Sequence, residues 1–348
     1  MSQFDPNAGP TEGSGVFGLP YTYEEAKLIY LPIPWEATTS YGAGTSKGPA
    51  AILAASYQVD LFDREVYRPY EPGFFMLPES KKIKAWNKTA KAAAQEVIKA
   101  GGHIGNNPRL KKAVAEVNKI SVLVNAEVRA AADKILDDGK IIGLVGGDHA
   151  SPLGAIQAQA AREKKDFGIL HIDAHSDTRD AYEGFKYSHA SIMRNVMEET
   201  PNVSKLVQVG IRDFCEEEYD YVRNSKKRIE AYYDIDLAKR KADGTTWLKL
   251  CREIVKLLPK RVWISFDIDG LDPTLCPGTG TPVPGGLSYY EAVLLIGEVA
   301  RSGRTIVGFD LNEVAPGETE WDANVGARML YKLSAWALAS QGLRKTLA

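Results

Sequence analysis

From Gly139 onward the chain alternates short runs of Ile, Val and Leu with longer stretches of helical character, and that alternation constrains the fold more than any other feature. The runs are Ile141 to Val145, Gly168 to Ile172, Leu206 to Gly210, Arg228 to Tyr233, Arg261 to Phe266 and Thr305 to Phe309. Continuous apolar strands between helices predict a parallel sheet covered on both faces. A seventh run, Leu28 to Leu31, precedes a loop marked by Gly42, Gly44, Gly48 and Pro49. Behind Pro49, a good first-turn residue, Ala50 to Ala55 reads as a helix opening. Residues 1 to 27 read as an irregular arm. Between Lys81 and Asp138, Ala and Lys dominate with apolar residues at helical spacing, broken at Gly101-Gly102 and Asn106-Asn107-Pro108. Two or three amphipathic helices are expected there.

Composition narrows the function classes. With 348 residues, 44% hydrophobic and 25% charged, the chain is an ordinary globular protein. Its apolar runs are far shorter than the ~20 residues of a membrane-spanning helix, and no secretory signal is readable, so the expected compartment is the cytoplasm. Cys215, Cys251 and Cys276 are too few and too irregularly spaced for a disulfide framework or a zinc ribbon. A net charge of -2 argues against nucleic acid, and Lys81, Lys82, Lys84, Lys88 and Lys91 read as solvated helix faces. With only five histidines, a metal site would have to rest mainly on carboxylates.

Four strands end in such groups. Ile141 to Val145 runs into Gly146-Gly147-Asp148-His149, Gly168 to Ile172 into Asp173-Ala174-His175-Ser176-Asp177, Arg261 to Phe266 into Asp267-Ile268-Asp269, and Thr305 to Phe309 into Asp310-Leu311-Asn312-Glu313. Ligands of open parallel sheets bind beyond the carboxyl ends of strands, so these clusters should converge on one crevice. Residues two apart on an extended chain point the same way, which pairs Asp173 with His175 and Asp267 with Asp269. An isolated Asp-x-Asp is usually a turn or cap feature; four acid-bearing strand ends in one chain are not. Asp173, Asp177, Asp267 and Asp269 bring about four negative charges that a cleft cannot hold unpaired. Two divalent cations would cancel them, with His149 and His175 as neutral ligands, and oxygen with imidazole suits Mn2+. Two metals ~3.5–4 Å apart can ionise a bridging water, which implies metal-assisted hydrolysis. His171 reads as a core or supporting residue.

Gly-Gly-Asp-His, Asp-Ala-His-Ser-Asp and Ser265-Phe-Asp-Ile-Asp-Gly-Leu-Asp-Pro273 resemble the three signatures of the ureohydrolase (arginase and agmatinase) family, over roughly residues 28 to 340. The resemblance implies one α/β/α domain of three layers over residues 28–348, around a parallel sheet of about eight strands. It implies two Mn2+ ions, one held by His149, Asp173, Asp177 and Asp267, the other by His175, Asp173, Asp267 and Asp269. The family's hydroxide attacks a guanidinium carbon, and urea and an amine leave. Glu313 matches the carboxylate that receives the guanidinium, a planar fork on a carboxylate. His189 matches the histidine that carries protons to the leaving amine. Catalytic roles thus fall to His189, Glu313 and Asp177.

Within the family, Gly278-Thr-Gly-Thr-Pro-Val-Pro-Gly-Gly286 and Val207-Gln-Val-Gly-Ile-Arg-Asp213 are more similar to agmatinases and guanidinobutyrases than to arginases. The segment after Asp177, Thr178-Arg179-Asp180-Ala181-Tyr182-Glu183, lacks the loop with which arginases hold an α-carboxylate. Arg179, Asp180 and Ser188 are therefore the candidates for contacts with the substrate tail. An Arg179 facing the pocket favours a carboxylate-bearing substrate such as guanidinobutyrate. Two departures from the family pattern are Ala190, where Gly is usual, and Asn312, where an apolar residue is usual. The segment from Lys81 to Asp138 is longer than typical and either covers the mouth of the site or builds a subunit contact. The resemblance favours trimers or hexamers. The expected activity is agmatinase-like, with arginine, guanidinobutyrate, free guanidine and formiminoglutamate as alternative substrates, Ni2+ as an alternative metal, and a catalytically silent relative as the reading from another class.

Overall fold

The computed structural model describes residues 4–10, 13–163 and 167–347. Eight parallel strands form one sheet: β1 (Leu28–Ile33), β2 (Phe74–Met76), β3 (Ile141–Gly146), β4 (Phe167–Ile172), β5 (Val203–Ile211), β6 (Ile229–Tyr233), β7 (Arg261–Asp267) and β8 (Thr305–Asn312). Their order across the sheet is β2-β1-β3-β8-β7-β4-β5-β6. The seven expected strands are present. β2 is the eighth, and its three residues at a sheet edge carry too little periodicity to signal a strand.

Helices cover both faces, as the apolar strands require. One layer holds α1 (Gly48–Ser56), α7 (Asp234–Ala242), α8 (Trp247–Leu257), α9 (Tyr289–Arg301) and α10 (Trp321–Ser340); the other holds α2 (Lys81–Lys99), α3 (Pro108–Asp137), α4 (Leu153–Arg162), α5 (Ile192–Glu199) and α6 (Glu216–Asn224). Each layer closes its own apolar core against the sheet. No helix among the described residues is long and apolar enough to cross a membrane.

The segment from Lys81 resolves into two helices. Ser80 caps α2 by accepting from the Ile83 amide, and Asn107 caps α3, with Pro108 in its first turn. Along α3, Leu110, Ala113, Val117, Ile120, Val124, Val128 and Ala132 recur at three- and four-residue steps and form its buried stripe. Lys81, Lys82, Lys84 and Lys88 are solvated as expected. Lys91 is not: it is partly buried and pairs with the buried Glu36.

Of the irregular arm, residues 1–3, 11 and 12 lie outside the described residues. The remainder has one short 3-10 turn, Val16–Gly18, and buries Val16, Phe17 and Leu19. The Phe17 ring meets Tyr30, Phe74 and Tyr331 edge-on, so the arm is part of the core.

Candidate metal centre

Strand order explains why the four acid-bearing ends meet. β3, β8, β7 and β4 are consecutive neighbours at the centre of the sheet, so their carboxyl ends lie side by side within ~15 Å, at ~4.8 Å per strand step. Two glycines let β3 deliver its histidine. A Cβ on Gly147 would lie 2.0 Å from the Trp35 carbonyl oxygen, and one on Gly146 would lie 1.9 Å from Asn312 Oδ1. Only a bare backbone passes there, and His149 follows directly into the crevice.

Asp173 is the hub. Its Oδ2 lies 3.0 Å from His149 Nδ1 and 2.7 Å from His171 Nε2, and its Oδ1 is 3.6 Å from His175 Nδ1. His149 Nδ1 is also 3.1 Å from Asp267 Oδ2 and 3.5 Å from Asp177 Oδ2, while His175 Nδ1 is 3.0 Å from Asp269 Oδ2. Two groups of converging ligand atoms result: His149, His171, Asp173 and Asp177 in one, Asp173, His175 and Asp269 in the other. All are buried except His175, which is partly exposed. The six residues expected as metal ligands thus come together, with His171 beside them.

Below the hub lies a polar row that includes His171, expected as a core or supporting residue, and Asp310, expected at an acidic strand end but placed inside β8. His171, Ser265 and Asp310 are register partners across β4, β7 and β8, so their side chains share a face. Ser265 Oγ donates to Asp310 Oδ1 at 2.8 Å and lies 2.9 Å from His149 Nε2. Gln208 on β5 lies 3.0 Å from His171 Nδ1 through its amide nitrogen. Asn312 donates to Asp310 Oδ1 and occupies space that a side chain on Gly146 would fill, which accounts for a polar residue before Glu313. The signal available in sequence was a polar residue within or directly after an apolar run, as at His171, Gln208, Ser265 and Asp310.

Without cations the acids crowd one another. Burial, then the neighbouring Asp173 charge, holds Asp177 well above the usual carboxylate range, and burial with Asp269 does the same to Asp267. Burial opposes ionisation of Asp173 too, but the charges of His171 and the hydrogen bonds from the histidines outweigh it and hold this carboxyl well below its ordinary value. Burial likewise works against His149 and His175, yet carboxylate partners raise both well above the ordinary imidazole value. Such a site holds protons where divalent cations would replace them. The donor set of carboxylate oxygen and imidazole fits a hard or borderline divalent ion.

Glu313 leaves β8 in the left-handed region, at φ 64, and Asp177, in the loop after β4, has φ 54. Non-glycine residues held there cost about 1 kcal/mol or more and cluster at functional sites. Glu313 Oε1 accepts from the His149 amide at 2.9 Å, while Oε2 is buried without a partner. Burial, Asp267 and Asp148 push Glu313 well above its ordinary value. Asp148, part of the β3 strand-end cluster but expected to hold no metal, is fully buried and pushed up to about 8, chiefly by that burial.

Above the hub a cleft of about 190 Å³ is lined by residues that include His175, Asp177, Arg179, Tyr182, His189 and Asp213. His189 Nδ1 lies 3.2 Å from Thr38 Oγ1 and 3.3 Å from Ser188 Oγ, and burial, then the charges of His175 and His149, push its ring down to about 4. Ser188 is buried and caps the 3-10 turn of His189–Ser191, so it supports His189 and is not among the residues lining the cleft. Asp180, expected to contact the substrate tail, turns away instead: its side chain is 75% exposed, it lies 4.0 Å from the Arg194 guanidinium, and it is not among the residues lining the cleft. The chain runs outward there, past the strand end that aims Asp177 inward. Cys276 is buried, and burial raises its thiol far above the ordinary value, as expected of an unreactive cysteine.

The family model for the arginase family matches residues 26–335. The chain belongs to the arginase family. Two relatives within it are N(1)-aminopropylagmatine ureohydrolases: that of Thermus thermophilus is 34% identical over 319 residues, covering 91% of this chain and 92% of its own, and that of Synechocystis sp. is 31% identical over 302 residues, covering 85% and 83%. The crystal structure of agmatine ureohydrolase of Thermoplasma volcanium superposes with a TM-score of 0.68 at 25% identity, over 93% of this chain and 94% of that one. This arginase-family protein is accordingly a hydrolase of C–N bonds in linear amidines.

Proposed function

We propose that the protein is a dinuclear-metal ureohydrolase that cleaves a guanidino C–N bond and releases urea and an amine, with agmatine or a longer amine of that kind as substrate. The observation that carries this reading is the pair of ligand clusters sharing Asp173, beside a Glu313 whose Oε2 is unpartnered. His149, Asp173, Asp177 and Asp267 would hold one metal, and His175, Asp173, Asp267 and Asp269 the other, Mn2+ or Ni2+. Once bound, the metals supply a hydroxide nucleophile at neutral pH.

The chain's own groups do the rest. Glu313, held through Oε1 by the His149 amide, presents Oε2 to a guanidinium N–H and aligns the planar group over the hub. His189 is neutral at neutral pH; with Nδ1 turned to Thr38 and Ser188, Nε2 would take up the proton shed by the attacking water and hand it to the leaving amine. Asp177, which lines the cleft and lies 3.5 Å from His149 Nδ1, would act as a metal ligand at the reacting end of the cleft.

The tail end favours an amine. Arg179 lines the cleft, but Glu218 pairs with it at 3.5 Å and its guanidinium lies over the Tyr182 ring. Asp213, 63% exposed at the mouth, lies 3.8 Å from His175 Nε2, a ring that would carry no charge as a metal ligand. A carboxylate tail would meet a cation already paired and an acid not fully paired. Both relatives above carry names of aminopropylagmatine ureohydrolases, in line with this. The three free cysteines fit a reducing cytoplasm; small guanidino compounds rather than nucleic acid or membrane are the partners, and a trimer or hexamer is the expected assembly.

The test is a panel of arginine, agmatine, aminopropylagmatine, guanidinobutyrate, guanidinopropionate, formiminoglutamate and guanidine with Mn2+-loaded and Ni2+-loaded protein, scoring urea, formamide and ammonia. Urea from agmatine or aminopropylagmatine is expected. Product from guanidinobutyrate alone would overturn the tail assignment, and no product from any compound would favour a catalytically silent relative.

A further inference from the structure

The α2–α3 hairpin reaches both walls that hold His189. On one side, α2 presents Asn87 and Lys91, four residues apart and hence on one face. Asn87 Oδ1 accepts from the Glu36 amide at 2.9 Å, and Lys91 pairs with the Glu36 carboxylate. Glu36 is buried, and its Oε2 accepts from the amides of Gly44 and Ser46 at 2.6 and 3.2 Å. It thereby closes the 36–46 loop, in which Thr38 sits against His189 Nδ1.

On the other side, Tyr182, Glu183, Gly184 and Phe185 form a tight turn with φ 53 at Glu183 and φ 83 at Gly184, the signs of a type I′ turn. Asn118 of α3 clamps its outgoing edge: Nδ2 donates to the Gly184 carbonyl at 3.1 Å, and Oδ1 accepts from the Lys186 amide at 2.9 Å. Phe185 is fully buried among Ala94 and Val97 of α2 and Leu110, Ala113 and Val117 of α3. At the head of the same turn, Tyr182 meets the His189 ring edge-on at 5.9 Å and lies under Arg179 at 5.1 Å.

We infer that the α2–α3 hairpin is a positioning device for His189, gripping the Thr38 wall through Lys91 and Glu36 and the Tyr182 wall through Asn118, so that Asn118 and Lys91 act on the reaction without touching substrate. The inference rests on the proposed role of His189 as proton carrier. It also assigns the long helical segment to the mouth of the site.

The test uses the full-length protein, metal-free and Mn2+-loaded. Asn118→Leu removes both clamp bonds at similar size; Asn118→Asp keeps the acceptor for Lys186 and loses the donor to Gly184. Amide exchange in peptides 180–190 should rise about fivefold or more in Asn118→Leu, less in Asn118→Asp, with β3, β4 and β7 unchanged. With the best guanidino substrate, kcat should fall about tenfold through misplacement of the ring, with KM nearly unchanged. In a His189→Ala background the same change should cost less than about twofold, because residues acting through one group are not additive. Unchanged exchange at 180–190, or an equal loss of kcat in both backgrounds, would overturn the inference. If wild type turns over no guanidino compound, the proposed reaction fails, and exchange alone decides whether the hairpin holds the loop. Should Asn118→Leu not fold, Asn118→Asp and Lys91→Met carry the same readouts, with exchange for Lys91→Met read at 36–46.

Discussion

Glu313 accepts a hydrogen bond from the backbone amide of His149 at 2.9 Å, which ties the carboxylate proposed to receive the guanidinium to the residue proposed to hold the first metal. The bond fixes one carboxylate oxygen and leaves the other for substrate. Glu313→Gln keeps that acceptor and removes the charge. We expect both metals to remain and kcat/KM to fall about 10- to 150-fold, the worth of one charge-assisted hydrogen bond. Metal analysis beside steady-state kinetics checks this; loss of metal in the variant would contradict the division of roles.

Asp173 belongs to both ligand clusters, so its loss should not leave one metal behind. Asp173→Asn is expected to carry less than one Mn2+ per chain, against two in wild type, with no detectable turnover. Retention of a single tightly bound ion would show that the clusters load independently.

Cation uptake should expel protons. His149 and His175 are raised well above the ordinary imidazole value, and the ligand carboxyls Asp177 and Asp267 well above the ordinary carboxylate value, so cation binding must displace protons from the site. Calorimetric titration with Mn2+ in two buffers of different ionisation enthalpy should show release of at least about two protons per chain at pH 7, and affinity that rises with pH. Equal heats in both buffers would contradict this.

The folded-state value of His189, near 4, lies below its unfolded value of about 6.5. Between those values the unfolded chain binds more protons than the native one, so stability from this group falls as pH drops through the window and is unaffected above it. Denaturant unfolding of metal-free protein should show wild type losing about 2 kcal/mol relative to His189→Asn between pH 7.5 and 4.5, less than the full shift because the ring borders the open cleft. An equal pH dependence of the two proteins would refute it.

Gly147 has no room for a side chain, since a Cβ would sit 2.0 Å from the Trp35 carbonyl oxygen. Gly147→Ala should lower stability by about 1–3 kcal/mol and reduce metal content, because the strain falls two residues from His149. Normal thermal unfolding and metal content would show that the β3 end moves freely.

How much was legible in the chain follows from what kind of signal each feature leaves. The strands that build the centre of the sheet announce themselves as apolar runs, and their acidic ends stand in local order, so the hub residues His149, Asp173, His175, Asp177, Asp267 and Asp269 could be named from period-two alternation and the rule that ligands gather at strand ends. β2 could not, being three residues at an edge, and Lys91 looked like any solvated lysine because its partner Glu36 is distant in sequence.

By itself, then, the sequence determined the parallel α/β fold, the strand ends that carry chemistry and the ligand types they offer, because these depend on hydrophobic periodicity and on residues adjacent along the chain. Only the tertiary structure decided that β3, β8, β7 and β4 are consecutive, that Asp173 is common to both clusters, that Arg179 is paired by Glu218 while Asp180 turns outward, and that α2 and α3 grip the loops around His189. Those relationships join residues tens to hundreds of positions apart, and which of many possible partners a side chain meets is set by how the strands order and the helices pack, a property of the whole chain.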